Sequence, residues 1–129
     1  YDVIKRNRSY RGFPLWMSLE DVKNTIRIIH VDMFLAKDNT GVAIASALIY
    51  HLSGNIVRII YWGNTEESEA LRPMNYLAYR VFEYYSSTDV KIIDIGHSTD
   101  SSIPNFGLCD FKQSIGCRCT PKLYMTKEL

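Results

Sequence analysis

The sequence has little of what staples a very small or secreted protein together: among 129 residues there are three cysteines, four prolines and seven glycines. Three thiols, Cys109, Cys117 and Cys119, cannot all pair within one chain, which excludes a disulfide framework. Together with His97 they would make four zinc ligands. The paired C-x-x-C spacing of structural zinc sites is missing, so they read as plain buried or half-buried thiols and no metal is expected. No apolar run approaches the roughly 20 residues that span a bilayer, and no charged start leads into an apolar stretch and a small-residue cleavage site. A reducing cytoplasm is therefore the default location. Charge of one sign is also lacking: 15 basic residues against 14 acidic leave a net charge of +1. That excludes bulk electrostatic attraction to nucleic acid or membrane, so any anion site must be local.

What is present describes a folded chain, 47% apolar and 22% charged, of one domain's length. It opens at Tyr1 rather than methionine, the mark of a processed chain or a piece of a larger one. Residues 1–14 form a basic lead-in: KRNRSYR at 5–11 carries four basic side chains and no acid before Gly12 and Pro14 break the pattern. It reads as a solvated helix end or, alternatively, a phosphate-facing strip. Ser18 with Asp21 resembles a capping box, and Leu19, Val22, Ile26 and Ile29 recur at helical spacing, predicting a helix over 18–30.

From Val31 the period changes to two. Turn residues at 38–41 and 53–55 then divide three antiparallel strands, 31–37, 42–52 and 56–62. Pro73 suits a first helical position, and Met74, Leu77, Ala78, Val81, Phe82 and Tyr85 fall within one arc of a helix. VKIIDI at 90–95 is a buried strand. A long loop leads to a helix near 107–116, stopped by Gly116, and CRCTPKLYM predicts a last strand over 117–125. This order requires a crossover over the middle helix, which makes strand 90–95 parallel to 56–62. The fold class is thus α/β (α+β): a mixed sheet, antiparallel at first and with a parallel central pair, flanked by helices. Ligands in such sheets favour the carboxyl ends of parallel strands, which points to Trp62, Gly63, Asn64, Asp94, Gly96, His97 and Ser98.

One side chain stands out in NFGLCDFKQSIGC, residues 105–117. With Leu108 at zero on a helical projection, Phe111 and Ile115 lie within about 60° on one side and Lys112 about 40° on the other. Lys112 thus borders the apolar face, while Asp110, Gln113 and Ser114 hold the outer one. A partly desolvated ammonium needs an anionic or carbonyl partner, or else must snorkel to water. Its partner is either Asp94, solvent, or a ligand's phosphate or developing oxyanion.

The stretch IIDIG, a loop and then NFGLCDFKQSIGC resembles the closing pattern of Fem-type (FemAB-like) aminoacyltransferases and related acetyltransferase-like proteins. RPMNYLAYRVFEYY and GVAIASALIYHL look like that group too, and the resemblance covers most of residues 15–125. It implies the GNAT (N-acetyltransferase) fold, in one domain that forms the C-terminal half of a larger two-domain protein behind a preceding GNAT-like domain. The activity implied is transfer of an acyl or aminoacyl group to a small-molecule or peptide amine, such as that on a peptidoglycan precursor. No cofactor is expected to be held tightly; the donor is aminoacyl-tRNA, with tRNA then a partner, or acyl-CoA. By resemblance Lys112 holds the donor or its oxyanion and Phe111 shapes the adjoining wall. His97 is a candidate base, Asp94 its orienter or the partner of Lys112, and Trp62, Asn64, Asn75 and Ser98 are candidate substrate contacts. Tyr124 is a weaker candidate acid.

The sequence departs from standard GNAT enzymes at the Gln/Arg-x-x-Gly-x-Gly/Ala loop, whose backbone N–H groups cradle the coenzyme A pyrophosphate. Between Trp62 and Tyr76 the one glycine is Gly63. Two alternatives to the acyltransferase therefore stand beside it: a non-catalytic structural or docking half of a two-domain acyltransferase, and a stand-alone acetyl-CoA-dependent N-acetyltransferase.

Overall fold

In the computed structural model, which describes residues 1–100, 102–121, 123 and 125–127, the chain divides into two compact units, Tyr1–Gly96 and His97–Leu129. The first begins with helix α1 (Asp2–Tyr10) and helix α2 (Leu19–Ile26). Strands β1 (Val31–Lys37), β2 (Ala43–Ser53) and β3 (Ile56–Asn64) follow, then a short 3₁₀ helix Glu66–Leu71, helix α3 (Pro73–Ser86) and strand β4 (Ile92–Asp94). The sheet order is β1-β2-β3-β4, antiparallel for the first two pairs and parallel between β3 and β4. The expected mixed sheet and crossover helix are both there.

Two helical layers cover the sheet. Alternation along the strands sends Ala36, Ala45, Ala47, Ile49, Val57 and Ile59 to one face, where they pack on Leu77, Val81 and Tyr85 of α3. Leu48 points the other way and meets Ile4 of α1 and Val22 of α2. The basic lead-in is therefore part of the fold. Val3, Ile4 and Asn7 form the buried face of α1, a spacing too short for the sequence to announce. Asn7 lies directly over Gly63: a Cβ there would come within 2.5 Å of the Asn7 Oδ1. The close approach lets Asn7 Nδ2 donate to the Asn64 carbonyl at 2.8 Å.

The capping box at Ser18 forms, with Asp21 N donating to Ser18 Oγ and Ser18 N donating to Asp21 Oδ2. Helix α2 nevertheless stops at Ile26 rather than running to residue 30. Its end tightens into bonds from Arg27 N to Asn24 O and Ile28 N to Thr25 O, and the cluster of β-branched residues there favours an extended chain.

In the second unit the loop after β4 contains a small hairpin, β5 (Thr99–Asp100) with β6 (Ile103–Pro104), in place of an irregular loop. Helix α4 (Phe106–Ser114) follows, with Asn105 capping it by accepting from Leu108 N. Gly116 ends it as expected: with φ of 93° it allows Gly116 N to reach Gln113 O and Cys117 N to reach Lys112 O, a Schellman closure. The strand expected over 117–125 is absent among the described residues of that stretch. Pro121 removes a ladder donor, and Leu123 and Met125 are more than four-fifths exposed. Tyr124 lies outside the described residues.

Candidate functional site

The residues proposed for the site divide between the two units. In the first, β3 carries a bulge: Leu48 pairs with Tyr61 and Ile49 with Ile59, so that Ile60 is the extra residue. Its parallel ladder with β4 covers only Ile56, Val57 and Arg58, opposite Ile92, Ile93 and Asp94. There β4 ends, whereas β3 runs on to Asn64. Beyond Arg58 β3 therefore continues with no β4 partner, next to the carboxyl end of β4, and open α/β sheets take ligands at the carboxyl ends of their parallel strands.

Around that end, Trp62 is half-buried and packs against the α3-side core. Asn64 is buried and committed locally, its Nδ2 donating to the Thr65 carbonyl at 2.9 Å. Asn75 is exposed in the first turn of α3. Asp94 accepts from Gly96 N at 2.8 Å through Oδ1, and Oδ2 lies 3.7 Å from Arg58 Nε, so its carboxylate closes the turn after β4.

The segment from Thr65 to Pro73 has the wrong electrostatics for a phosphate cradle. Glu66, Glu67 and Glu69 stand in the 3₁₀ helix, Arg72 takes a left-handed conformation with φ of 49°, and Pro73 removes an N–H from the start of α3. The neighbouring groove, of about 330 Å³, is lined by Arg6, Asp38, Thr65, Glu67 and Ser68 among others. Two of the basic lead-in's side chains face these acids: Arg6 pairs with Glu67 at 2.6 Å and Arg11 with Glu69 at 3.3 Å. Arg8 instead lies over the Tyr61 ring, 5.2 Å from its centroid. The lead-in is thus a counter-charge to an acidic turn rather than a free phosphate-facing strip.

In the second unit Lys112 is the one fully buried residue of α4, 6% exposed. Its Nζ donates to the His97 carbonyl at 2.8 Å, so the ammonium takes a carbonyl partner, one of the two kinds its desolvation demands. Asn105 N donates to the Ser98 carbonyl at 2.9 Å, so residues 97 and 98 are bonded to α4 and to its cap. The His97 ring is exposed, Ser98 is half-buried, and Phe111 is half-buried one position before the lysine. Cys109 and Cys117 are half-buried free thiols and Cys119 is exposed. Burial raises the Cys117 pKa against the opposing charge of Lys112.

A second cluster escaped the sequence reading. Asp32 Oδ2 accepts from Tyr85 Oη at 2.7 Å and lies 2.7 Å from His51 Nε2, while His30 Nε2 lies 3.4 Å from Asp32 Oδ1. Burial pushes the Asp32 carboxyl up, but the hydrogen bonds from His51 and Tyr85, with the charge of both imidazoles, more than reverse this and hold it below the ordinary carboxylate range. The Tyr85 hydroxyl is raised by burial and by its bond to that carboxylate. The signal was available: residues 30 and 32 alternate onto the same face, and the hairpin register brings 51 opposite 30.

No family model matches the sequence, and no curated protein does. Solved structures do. An aminoglycoside acetyltransferase from an uncultured soil metagenomic sample superposes with a TM-score of 0.70 at 10% identity, covering 98% of this chain and 85% of that one. A putative acetyltransferase from Pyrococcus furiosus gives 0.68 at 15% identity, covering 99% and 92%. The chain has the GNAT fold. A third neighbour, the aminoglycoside N-acetyltransferase AAC(6')-Iy in complex with CoA, gives 0.63 at 17% identity, covering 93% and 90%. At these identities the likeness is one of architecture. The acidic turn at 66–69 immediately precedes α3.

Proposed function

We propose that this chain is a GNAT-type N-acyltransferase that moves an acyl group to a primary amine. The observation that carries the reading is a sheet of GNAT order whose parallel β3/β4 ladder ends at the Arg58/Asp94 pair while β3 runs on to Asn64. In the reaction the amine nitrogen bonds to the acyl carbon, a tetrahedral oxyanion forms and collapses, the bond to the donor's sulfur or oxygen breaks, and the amine's proton is lost to a base or to water. Acyl-CoA is the donor the solved neighbours favour, one of them being in complex with CoA. An amine borne by an aminoglycoside is the acceptor the neighbours favour, several of them being aminoglycoside acetyltransferases.

Lys112 is the proposed oxyanion or donor contact, its ammonium held in place by the His97 carbonyl. Phe111 forms the wall beside it. His97, an exposed residue, is the proposed proton acceptor, Asp94 a proposed catalytic carboxylate, and Trp62, Asn64, Asn75 and Ser98 proposed substrate contacts. Aminoacyl-tRNA as donor, a peptidoglycan precursor as acceptor and a preceding GNAT-like domain extend the same proposal towards the Fem-type resemblance. The acidic turn and Pro73 favour a second reading, in which the fold is kept as a non-catalytic half that completes another domain's cleft.

Titration calorimetry with acetyl-CoA and an acetylation assay over a panel of polyamines and aminoglycosides separate the two. Saturable binding with acetyl transfer supports the enzyme; no binding and no transfer, with charged tRNA also inert, leaves the docking half. In an active preparation Lys112→Met, which keeps the buried stem, is expected to lower kcat on the order of 100-fold, the scale of losing an oxyanion donor. Unchanged kcat in a folded variant removes Lys112 from the chemistry.

A further inference from the structure

Three side chains of unlike sequence position converge where β1 begins and β2 ends. His30 precedes β1, Asp32 is its second residue, and His51 belongs to β2; the His51 N–H donates to the His30 carbonyl at 3.1 Å. Side-chain alternation puts all three on the face that α3 covers. Their ligand atoms all lie within 4.8 Å of one another. We propose that His30, Asp32 and His51 form a binding site for a divalent transition-metal ion of the zinc class.

The donor set suits such an ion: two imidazoles and one carboxylate are borderline ligands, whereas calcium and magnesium prefer oxygen alone. The spacing suits it as well. Zinc with ligands at about 2.05 Å in a tetrahedral shell separates them by about 3.3 Å, between the 2.7 Å of His51 to Asp32 and the 3.4 Å of His30 to Asp32. A buried Tyr85 hydroxyl donates to the carboxylate, the outer-shell bond that fixes a ligating oxygen. Without an ion, a shared proton holds His51 to Asp32; with one, the metal replaces it.

The His30 and His51 rings are stacked, 3.9 Å apart and 16° from parallel. Lone pairs in parallel planes cannot meet on one ion, so one ring must turn. His30 does so, because its side chain is 68% exposed while His51 is 25% exposed. An ion at this site pins the β1–β2 hairpin to α3 through Tyr85.

The test is titration of the whole chain with Co²⁺, followed by absorption, and with Zn²⁺, followed by calorimetry and thermal unfolding. The proposal expects one saturable ion, weak d–d bands without thiolate charge transfer, and a rise in Tm on binding. His51→Ala abolishes this binding, His30→Ala weakens it more than about tenfold, and Tyr85→Phe about tenfold. His30 is exposed, so His30→Ala folds even where the other two do not. Absence of saturable binding, a thiolate band marking Cys109, Cys117 or Cys119, or unchanged affinity in His30→Ala each overturns the proposal.

Discussion

The two ends of the hairpin strands in the first unit place charge in opposite ways. At the carboxyl end of β3 the charges are paired across the surface: Arg6 with Glu67 and Arg11 with Glu69, each side chain about half exposed or more. At the other end Asp32 is 17% exposed and receives a tyrosine and an imidazole directly. Exposed pairs are screened by water and contribute little, whereas a desolvated carboxylate with donors on both sides stabilises strongly and is costly to disturb. The contrast teaches where this fold is tolerant. The end expected to hold the chemistry is held by backbone geometry and close packing, and the opposite end by a small polar network.

Asp32→Ala tests the network most severely. In the presence of a chelator, so that no ion contributes, it strands Tyr85 Oη and His51 Nε2 and is expected to cost about 3 kcal/mol in urea unfolding. A loss below about 1 kcal/mol would mean that water replaces the carboxylate and that the end is looser than its burial indicates.

Next comes Gly63→Ala. The added methyl displaces Asn7, breaks its bond to Asn64 O and pushes α1 off the sheet, at about 1–3 kcal/mol. Asn7→Ala combined with Gly63→Ala should recover part of this loss. Purely additive costs would show that the close approach is not the cause.

Glu67→Gln sits at the bottom of the scale. Its carboxyl, held down chiefly by a backbone hydrogen bond and by Arg6, is fully exposed, so no change in Tm is expected. The same substitution sharpens the functional side of the comparison. With one acid fewer at this turn, acetyl-CoA binding should strengthen and become less salt-dependent if phosphate passes near it.

Much of the first unit was legible in the sequence because its signals are local. Period-two alternation, DNTG and SGN turns, Pro73 at a helix start and Gly116 at a helix stop each act within a few residues. The α1 helix was not legible, since its buried Asn7 has meaning only against Gly63, 56 positions away in the chain. For the same reason the His30, Asp32 and His51 cluster passed unseen while His97 drew attention. The strand expected over 117–125 is absent among the described residues there, where Pro121 interrupts a β-prone run and Leu123 and Met125 are exposed.

By itself the sequence determined the order and type of most elements, the parallel pair implied by a crossover helix, and the position of Lys112 beside the apolar stripe of α4. Tertiary structure alone decided that the lysine is buried on the His97 carbonyl, that the β3/β4 ladder stops at Arg58, and that a carboxylate, two imidazoles and a phenol meet at one end of the sheet. The physical reason is range. Caps, turns and hydrophobic periods are set by neighbours in the chain, but the environment of a charge is set by whichever distant residues remove its water.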